Sequence, residues 1–273
     1  MIFSSTPPLR LSQGHLNLLT ACPRKFQHSY LEQLTSPTDP KQEERLTLGS
    51  RFHLLMQQQE MGLPIDQMLR SDPQLHRWMS AFADAAPEIL TNNEQDFRES
   101  EHYRTLQINN YLITVIYDLL IANSQQAQIL DWKTYTQKPQ KSDLAKNWQT
   151  RLYLYVLAET GDYLPENISM TYWFVQTKDK PQSVKFTYDG AKHRKTKQDL
   201  NQLLDNLTLW LEQYQQGVNF PQTPEYRNAC ISCQYNMRCD GETPAFSDGQ
   251  HTSTAEISTQ TLPKLENIQE ISL

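Results

Sequence analysis

Two aspartates and one lysine lie in otherwise apolar segments near the middle of the chain. Asp118 interrupts the run YLITVIYDLLIA, and Asp131 and Lys133 interrupt QAQILDWKTY. Ionised side chains are rarely placed against a hydrophobic core unless they are paired or bind a metal. Asp131 and Lys133 are two residues apart, so on a strand both point to one face. With a second carboxylate on a neighbouring strand they can form a hard-cation site. A simple ion pair at a strand end explains the same pattern.

Three segments rich in β-branched and aromatic residues contain these charges and predict consecutive strands. They span residues 97–108, 111–122 and 126–135. Asn109-Asn110 separates the first two segments and Asn123-Ser124 the last two, and these residue types favour turns. The pattern predicts a β-meander that brings the two aspartates onto neighbouring strands.

Helical periodicity predicts helices on both sides of this meander. The predicted helices span residues 11–34 (with a break at Pro23), 46–60, 72–92, 143–159 and 190–217, and two further strands span 170–176 and 184–188. His53 lies in the second helix, and Gln149 and Tyr153 lie one turn apart in the helix after the meander. Taken alone, each of these three side chains is better explained by helix packing than by a functional role.

The four cysteines are distributed in an uneven pattern. Cys230, Cys233 and Cys239 form a C-x2-C-x5-C run, whereas Cys22 lies more than two hundred residues earlier. A reducing cytosol disfavours disulfides, and four thiolates suit either a [4Fe–4S] cluster or a structural Zn²⁺. Spacing alone does not separate the two, although a division into one and three is unusual for zinc. Free thiols are the third alternative.

The ordered set of these motifs resembles the PD-(D/E)XK nuclease superfamily. The set consists of His53, Asp118, Asp131-x-Lys133 and Gln149-x-x-x-Tyr153. The resemblance is to the RecB-like branch, which includes the nuclease domains of AddB and the CRISPR-associated RecB-type exonucleases. It implies an α/β fold with a restriction-endonuclease-like αβββαβ core, added helices and a C-terminal segment that carries the cysteine cluster.

The resemblance also implies roles for individual residues. Asp118 and Asp131 would bind Mg²⁺ or Mn²⁺, with His53 and the backbone carbonyl of Trp132 as additional ligands. Lys133 would position or deprotonate the attacking water and share the developing negative charge. Of the remaining set, Gln149 and Tyr153 would hold Lys133 or the nucleic-acid backbone, and Glu101 would support the metal ligands from outside.

The cysteine pattern strengthens the resemblance, because Cys22 stands in a Cys-Pro-x-x-Phe setting before the histidine motif. In similar iron–sulfur RecB-like nucleases, a [4Fe–4S] cluster joins the C-terminal segment to the N-terminal helix. The same connection is expected here, with Zn²⁺ as the alternative occupant. One departure stands out, because these enzymes commonly have a glycine just before the first metal aspartate. Tyr117 occupies that position, and a bulkier residue could narrow the approach of the DNA backbone.

Charge and composition set the remaining expectations. The 273 residues carry a net charge of −6, of which residues 240–273 contribute −5. Residues 133–151 and 178–197 are locally basic, at +4 and +5, which suits a phosphate backbone or simply solvated surface. We expect one nuclease domain over 1–242, closed by the four-cysteine cluster, and a disordered acidic tail over 243–273. No signal peptide or membrane segment is evident, so a cytoplasmic location is expected.

The combined prediction is a metal-dependent DNA nuclease with a structural [4Fe–4S] cluster, an exonuclease that hydrolyses phosphodiester bonds at single-stranded ends. DNA repair, recombination or CRISPR-type processing are the expected settings. A helicase or other protein subunit would be on another chain, because the sequence has no G-x-x-x-x-G-K-[ST] motif. A catalytically weak or inactive DNA-binding or scaffold subunit of a larger repair complex is the alternative. A zinc-stabilised interaction protein is a third reading.

Overall fold

The computed structural model describes residues 8–34, 39–91, 96–176, 180–223, 230–231 and 233–239. The described strands are β1 Leu9–Leu11, β2 Phe97–Ile108, β3 Tyr111–Ala122, β4 Ala127–Lys133, β5 Ile168–Phe174 and β6 Gln182–Thr187. The described α-helices are α1 Gln13–Ala21, α2 Pro23–Phe26, α3 Pro40–Glu60, α4 Asp66–Ser71, α5 Pro73–Ala85, α6 Pro87–Leu90, α7 Lys141–Lys146, α8 Trp148–Thr160 and α9 Gly190–Gln215. The six strands form one mixed sheet. This architecture confirms the predicted α/β class and its order of helix, three strands, helix and strand.

The chain divides into two compact units. The first, the sheet unit, comprises the described residues of Met1–Leu16 and Thr38–Leu204. The second, the cysteine unit, comprises the described residues of Asn17–Pro37 and Asp205–Glu270. All the nuclease motif residues belong to the sheet unit, and all four cysteines belong to the cysteine unit.

One edge of β3 is divided between two different strands. β2 pairs with β3 along its length and occupies the other edge. On the divided edge, β1 pairs in parallel with residues 111–113, and β4 pairs antiparallel with residues 119–122. Residues 114–118 therefore have no described strand beside them there. We call this stretch, which ends at Asp118, the open edge of β3.

A hydrophobic core between helices and sheet holds α3 against the strands. Phe52, fully buried on α3, packs edge-on against Trp78 of α5, with ring centroids 5.8 Å apart. Trp132 of β4 packs in the same way against Phe82 of α5 at 5.3 Å. Burying a side chain such as Phe52 stabilises the fold by about 2 kcal/mol. His53, next to Phe52 in the helix, is thereby held at the edge of this core.

Helix α8 is anchored at its start by a capping residue. The Asn147 side chain accepts a hydrogen bond from the backbone N–H of Gln149 at 2.8 Å, which satisfies one of the free N–H groups at the helix end. Most of the helix is buried, and the hydroxyl of Thr150 bonds the Leu144 carbonyl at 2.6 Å and the Tyr172 hydroxyl at 2.8 Å. These contacts set the rotation of α8, and with it the direction of Gln149.

The structure differs from the sequence-based expectation mainly near the N-terminus. Leu11, the predicted start of a long helix, belongs to strand β1, and the helical stretch is divided into α1, α2 and a π-helical turn at Gln27–Leu31. Helix α3 begins at Pro40, six residues before the predicted start at residue 46, because the Asp39 side chain caps it by accepting from Lys41 N–H at 3.2 Å. The predicted acidic tail lies outside the described residues.

In the cysteine unit, the N-terminal helical segment is bonded to the C-terminal part of the chain. Gln27 Nε2 donates a hydrogen bond to Asn219 Oδ1 at 2.8 Å, and Gln27 Oε1 accepts one from the backbone N–H of Phe220 at 2.7 Å. The ring of Phe220 stacks on Phe26, with centroids 6.3 Å apart. Further along, the Tyr235 hydroxyl donates to the Leu34 carbonyl at 2.7 Å. These bonds join segments that are about two hundred residues apart in sequence.

Candidate active site

Asp118 occupies the point where β3 and β4 separate. The last backbone pair between these strands is Leu119↔Leu130. Beyond this pair, the Asp118 side chain connects the two strands, because its Oδ2 accepts a hydrogen bond from the Trp132 backbone N–H at 2.6 Å. Its other oxygen, Oδ1, lies 3.2 Å from His53 Nδ1. The carboxylate is thus held from two sides at the end of the open edge.

Glu101 lies directly across from Asp118 on β2. Ser100 pairs with Leu119 and His102 with Tyr117, which leaves Glu101 and Asp118 as the interrupted pair between them. The backbone of Glu101 has a φ of 51°, in the left-handed region that glutamate rarely adopts. Strained backbone of this kind concentrates at functional sites.

This backbone conformation completes a donor set that suits a metal ion. One ligand atom from each of His53, Glu101 and Asp118 lies within 4.8 Å of the other two. Carboxylate oxygens suit Mg²⁺ and Mn²⁺, and an imidazole nitrogen is compatible with the latter. Glu101, expected from the sequence only as an outer supporting residue, lies among the potential ligand atoms.

Asp131, Lys133 and Gln149 form a buried polar group on the same part of the sheet unit. Lys133 Nζ lies 3.0 Å from Asp131 Oδ1, and Gln149 Nε2 donates to Asp131 Oδ2 at 2.8 Å. The Asp131 and Lys133 side chains are only 2% and 6% exposed. At that burial a charge is tolerated only with partners, and the Gln149 amide is one of the partners of Asp131. The ammonium of Lys133 also lies 5.7 Å from the Tyr172 ring centroid.

The electrostatics of the site favour positive charge beside Asp118. Burial disfavours the imidazolium of His53, but the carboxylates of Asp118 and Asp131 outweigh it and raise the pKa of His53 to about 9. Burial likewise opposes ionisation of Asp118, yet His53, Lys133 and the Trp132 amide together lower its pKa. Burial and the nearby Asp118 raise the pKa of Glu101. The three carboxylates of the site (Glu101, Asp118 and Asp131) outnumber its two cationic side chains (His53 and Lys133).

Tyr153 and Tyr117 contact each other rather than flanking the carboxylates. The Tyr117 hydroxyl donates to the Tyr153 carbonyl at 3.0 Å, and the two rings meet edge-to-face with centroids 5.2 Å apart. Tyr117 is fully buried. The side chain that replaces the family's usual glycine is therefore packed into the core. Tyr153 lines a separate cleft, described below.

The locally basic segments are partly neutralised by ion pairs. Arg151 and Lys195 both contact the carboxylate of Asp199, at 2.6 and 2.7 Å. Lys192 pairs with Asp189 at 2.8 Å. Asp189 is already counted in the +5 of residues 178–197, whereas Asp199 lies outside both segments and neutralises part of the positive charge that they offer to a phosphate backbone.

The four cysteines of the cysteine unit lie close enough to influence one another electrostatically. Burial raises the pKa of the Cys230 thiol, and Cys22 and Cys233 add to the effect. Burial and Cys233 likewise raise the pKa of Cys239, against the opposing effect of Arg24. Cys22 therefore lies near enough to the C-terminal run to affect the pKa of Cys230 and Cys239, although among the described residues no three of the thiols lie within 4.8 Å of one another. The donor set of four thiols fits either an iron–sulfur cluster or zinc.

Comparison with known proteins defines the class to which this fold and site belong. Residues 10–240 match the PD-(D/E)XK nuclease superfamily. The chain belongs to this superfamily, which comprises nucleases that generally use divalent metals to cleave DNA. The predicted class is confirmed at this level. No curated protein matches the sequence.

Solved structures with low sequence identity align with most of this chain. The "putative exonuclease" from Eubacterium rectale aligns with a TM-score of 0.51 at 11% identity, covering 91% of this chain and 91% of that chain. The protein SSO0001 aligns with a TM-score of 0.40 at 11% identity, covering 88% of this chain and 90% of that chain. Among the described helices of the present protein, none is both long and apolar enough to cross a lipid bilayer.

Proposed function

We propose that this protein is a Mg²⁺- or Mn²⁺-dependent exonuclease that degrades DNA from single-stranded ends and carries a structural [4Fe–4S] cluster. The observation that carries the proposal is the convergence of His53, Glu101 and Asp118 within 4.8 Å. The buried Asp131–Lys133 pair supplies a third carboxylate and an ammonium. Such a combination of acids and one lysine suits hydrolysis of a phosphodiester bond.

The cation would be held by Asp118 and Asp131, with His53, Glu101 and the Trp132 carbonyl as further ligands. The Trp132 N–H points to Asp118, and on a strand the N–H and C=O of one residue point to the same side. This supports the assignment of the Trp132 carbonyl as a ligand. A bound divalent cation would lower the pKa of a water molecule and stabilise negative charge on the scissile phosphate.

Lys133 carries the other half of the chemistry. Its ammonium lies beside Asp131 Oδ1, so it can donate a hydrogen bond that holds the attacking water against the carboxylate, and in its neutral amine form it could accept the proton of that water. It can also share the negative charge that develops on the phosphate. Gln149 fixes Asp131 Oδ2 and thereby limits the directions in which Asp131 presents its remaining lone pairs. Tyr153 contributes to nucleic-acid binding rather than to orientation of Lys133.

The cysteine unit would hold the iron–sulfur cluster through Cys22, Cys230, Cys233 and Cys239. The mutual influence of these thiols supports a shared centre. The division into one and three cysteines favours an iron–sulfur cluster over zinc, which most often uses two closely spaced pairs. The cluster would reinforce the hydrogen bonds of Gln27 and Tyr235 that already connect the two ends of the chain. We further propose that the protein acts in DNA repair, recombination or CRISPR-type processing, together with a helicase or other subunit on a separate chain.

An inactive DNA-binding or scaffold subunit is the second candidate. The observation in its favour is Tyr117 at the position of the family's usual glycine. This observation is weak support for an inactive protein, because the Tyr117 ring is buried against Tyr153. The two candidates differ in whether DNA is cut, and not in whether it is bound.

Replacement of Asp131 by alanine is expected to abolish Mn²⁺-dependent degradation of end-labelled single-stranded DNA. The change removes a carboxylate that would bind the metal and that positions Lys133. Asp66→Ala, which alters an exposed acid of α4, should retain wild-type activity. Circular single-stranded DNA should resist digestion if the enzyme requires an end. Wild-type protein that binds the DNA but cuts nothing in Mg²⁺ or Mn²⁺ would support the scaffold candidate instead.

Replacement of Glu101 by glutamine should weaken Mn²⁺ binding by about tenfold or more, as expected when a metal site loses a supporting carboxylate. The amide retains the shape of the side chain but removes its negative charge. The measurement is an Mn²⁺ titration followed by electron paramagnetic resonance of the free ion. Glu99→Gln on the same strand, at an exposed position, is the matched control. Equal affinity in both variants would contradict a ligand role for Glu101.

A further inference from the structure

A cleft lies along the open edge of β3. It has a volume of about 190 Å³ and is lined by Arg10, Ser12, Gln13, Tyr103, Thr114, Ile116 and Tyr153. Its floor includes Thr114 and Ile116, which belong to the stretch left without a strand between β1 and β4. That stretch ends at Asp118, so the cleft and the candidate metal site share one segment of β3.

Each of three elements contributes both to the metal site and to this cleft. On β2, Tyr103 follows Glu101 by two residues, and on β3, Ile116 precedes Asp118 by two residues. Two residues of a strand span about 7 Å. On α8, Tyr153 follows Gln149 by one helical turn, about 5–6 Å. The cleft is therefore offset from the metal site by a distance comparable with the repeat between successive phosphates of an extended DNA strand.

Two side chains of the cleft are available to a ligand. Tyr103 is 49% exposed, and Arg10, the middle residue of β1, is also exposed. Within the described part of the chain, neither the Tyr103 hydroxyl nor the Arg10 guanidinium has a hydrogen-bond or ion-pair partner. An exposed aromatic ring and an uncommitted guanidinium are the two groups that bind single strands, by stacking on a base and by pairing with phosphate.

We propose that this cleft binds the nucleotide adjacent to the scissile phosphodiester, with Tyr103 stacked on an unpaired base and Arg10 on the backbone phosphate. The inference rests on the proposed nuclease function and specifies its substrate. A base can stack on Tyr103 only when it has left its own duplex stack, and the volume suits one nucleobase rather than a base pair. The cleft therefore selects single-stranded DNA next to the cleavage site.

The test is equilibrium binding of a fluorescein-labelled 12-nucleotide single strand by anisotropy, with Ca²⁺ replacing the catalytic metal. Tyr103→Ala should raise the Kd about tenfold, in the range of one lost stacking contact. Tyr103→Phe keeps the ring and should bind within twofold of wild type. Arg10→Ala should weaken binding and reduce the slope of log K against log salt by about one. An equal-length duplex should bind more weakly and should not respond to Tyr103→Ala.

Matched controls separate a specific cleft from general surface effects. Phe97→Ala alters another aromatic residue of β2 with 51% exposure, and Arg70→Ala alters an exposed arginine of α4; neither should change the Kd. In Mn²⁺, Tyr103→Ala should raise KM and leave kcat near wild type, because the cleft binds and does not react.

The outcomes also distinguish this inference from the proposed function. Wild-type binding by both Tyr103→Ala and Arg10→Ala, in a protein that still cuts DNA, would overturn the cleft and leave the nuclease intact. Equal affinity for duplex and single strand, unchanged in both cases by Tyr103→Ala, would also overturn the cleft and leave the nuclease intact. A wild-type protein that binds no DNA would overturn both. Binding that follows these expectations in a protein that never cuts DNA would support the cleft and contradict catalysis.

Discussion

Replacement of Lys133 by methionine is expected to slow metal-dependent DNA cleavage by about 10²- to 10⁴-fold, the contribution typical of a positioned proton-transfer group. Methionine keeps much of the length of the apolar stem, which is almost completely buried, so packing should change little. What is lost is the charge beside Asp131 Oδ1. Single-turnover cleavage of end-labelled single-stranded DNA in Mn²⁺ measures the effect on the chemical step.

The control for this prediction is Lys141→Met, which removes an exposed ammonium from α7. It should cleave at close to the wild-type rate. Lys133→Met should still bind the same strand in Ca²⁺ within about twofold, because the affected step is chemical. A Lys133→Met protein with wild-type cleavage would refute the assigned role of the lysine. A proportional loss of binding would instead place Lys133 in substrate binding.

Replacement of Cys230 by serine is expected to remove the iron and the broad visible absorption of anaerobically purified protein. Structural metal binding contributes directly to folding free energy, so the thermal midpoint should fall as well. A loss of about 3 kcal/mol would lower it by about 6–12 °C for a chain of this size. Iron and sulfide analysis, visible absorption and thermal denaturation measure the three effects on one sample.

Tyr235→Phe provides the matched comparison in the same unit. It removes the hydroxyl that bonds the Leu34 carbonyl and leaves every sulfur in place. Iron should be retained, and stability should fall by only about 1 kcal/mol, the usual net value of one hydrogen bond. A colourless wild-type protein that holds zinc would show that the four cysteines form a zinc site. Full iron content in Cys230→Ser would exclude that residue as a ligand.

Local pattern was sufficient to predict the middle of the sheet. The predicted strands over residues 97–108 and 111–122 coincide with β2 and β3, because alternating β-branched residues between asparagine turns have few other stable conformations. The two-residue spacing of Asp131 and Lys133 predicted that their side chains would lie together, and they are 3.0 Å apart. Period-two geometry does not depend on the rest of the chain.

The sequence alone determined the residue types of the site and their order, and the family that this order defines. Only the tertiary structure decided how the site is shaped. β1 is three residues long, too short for a periodic pattern, yet its pairing limits the open edge and creates the cleft. No sequence pattern predicted the positive φ of Glu101, because glutamate rarely adopts the left-handed backbone conformation. Both features arise from contacts between distant segments, whose free energy no local propensity contains.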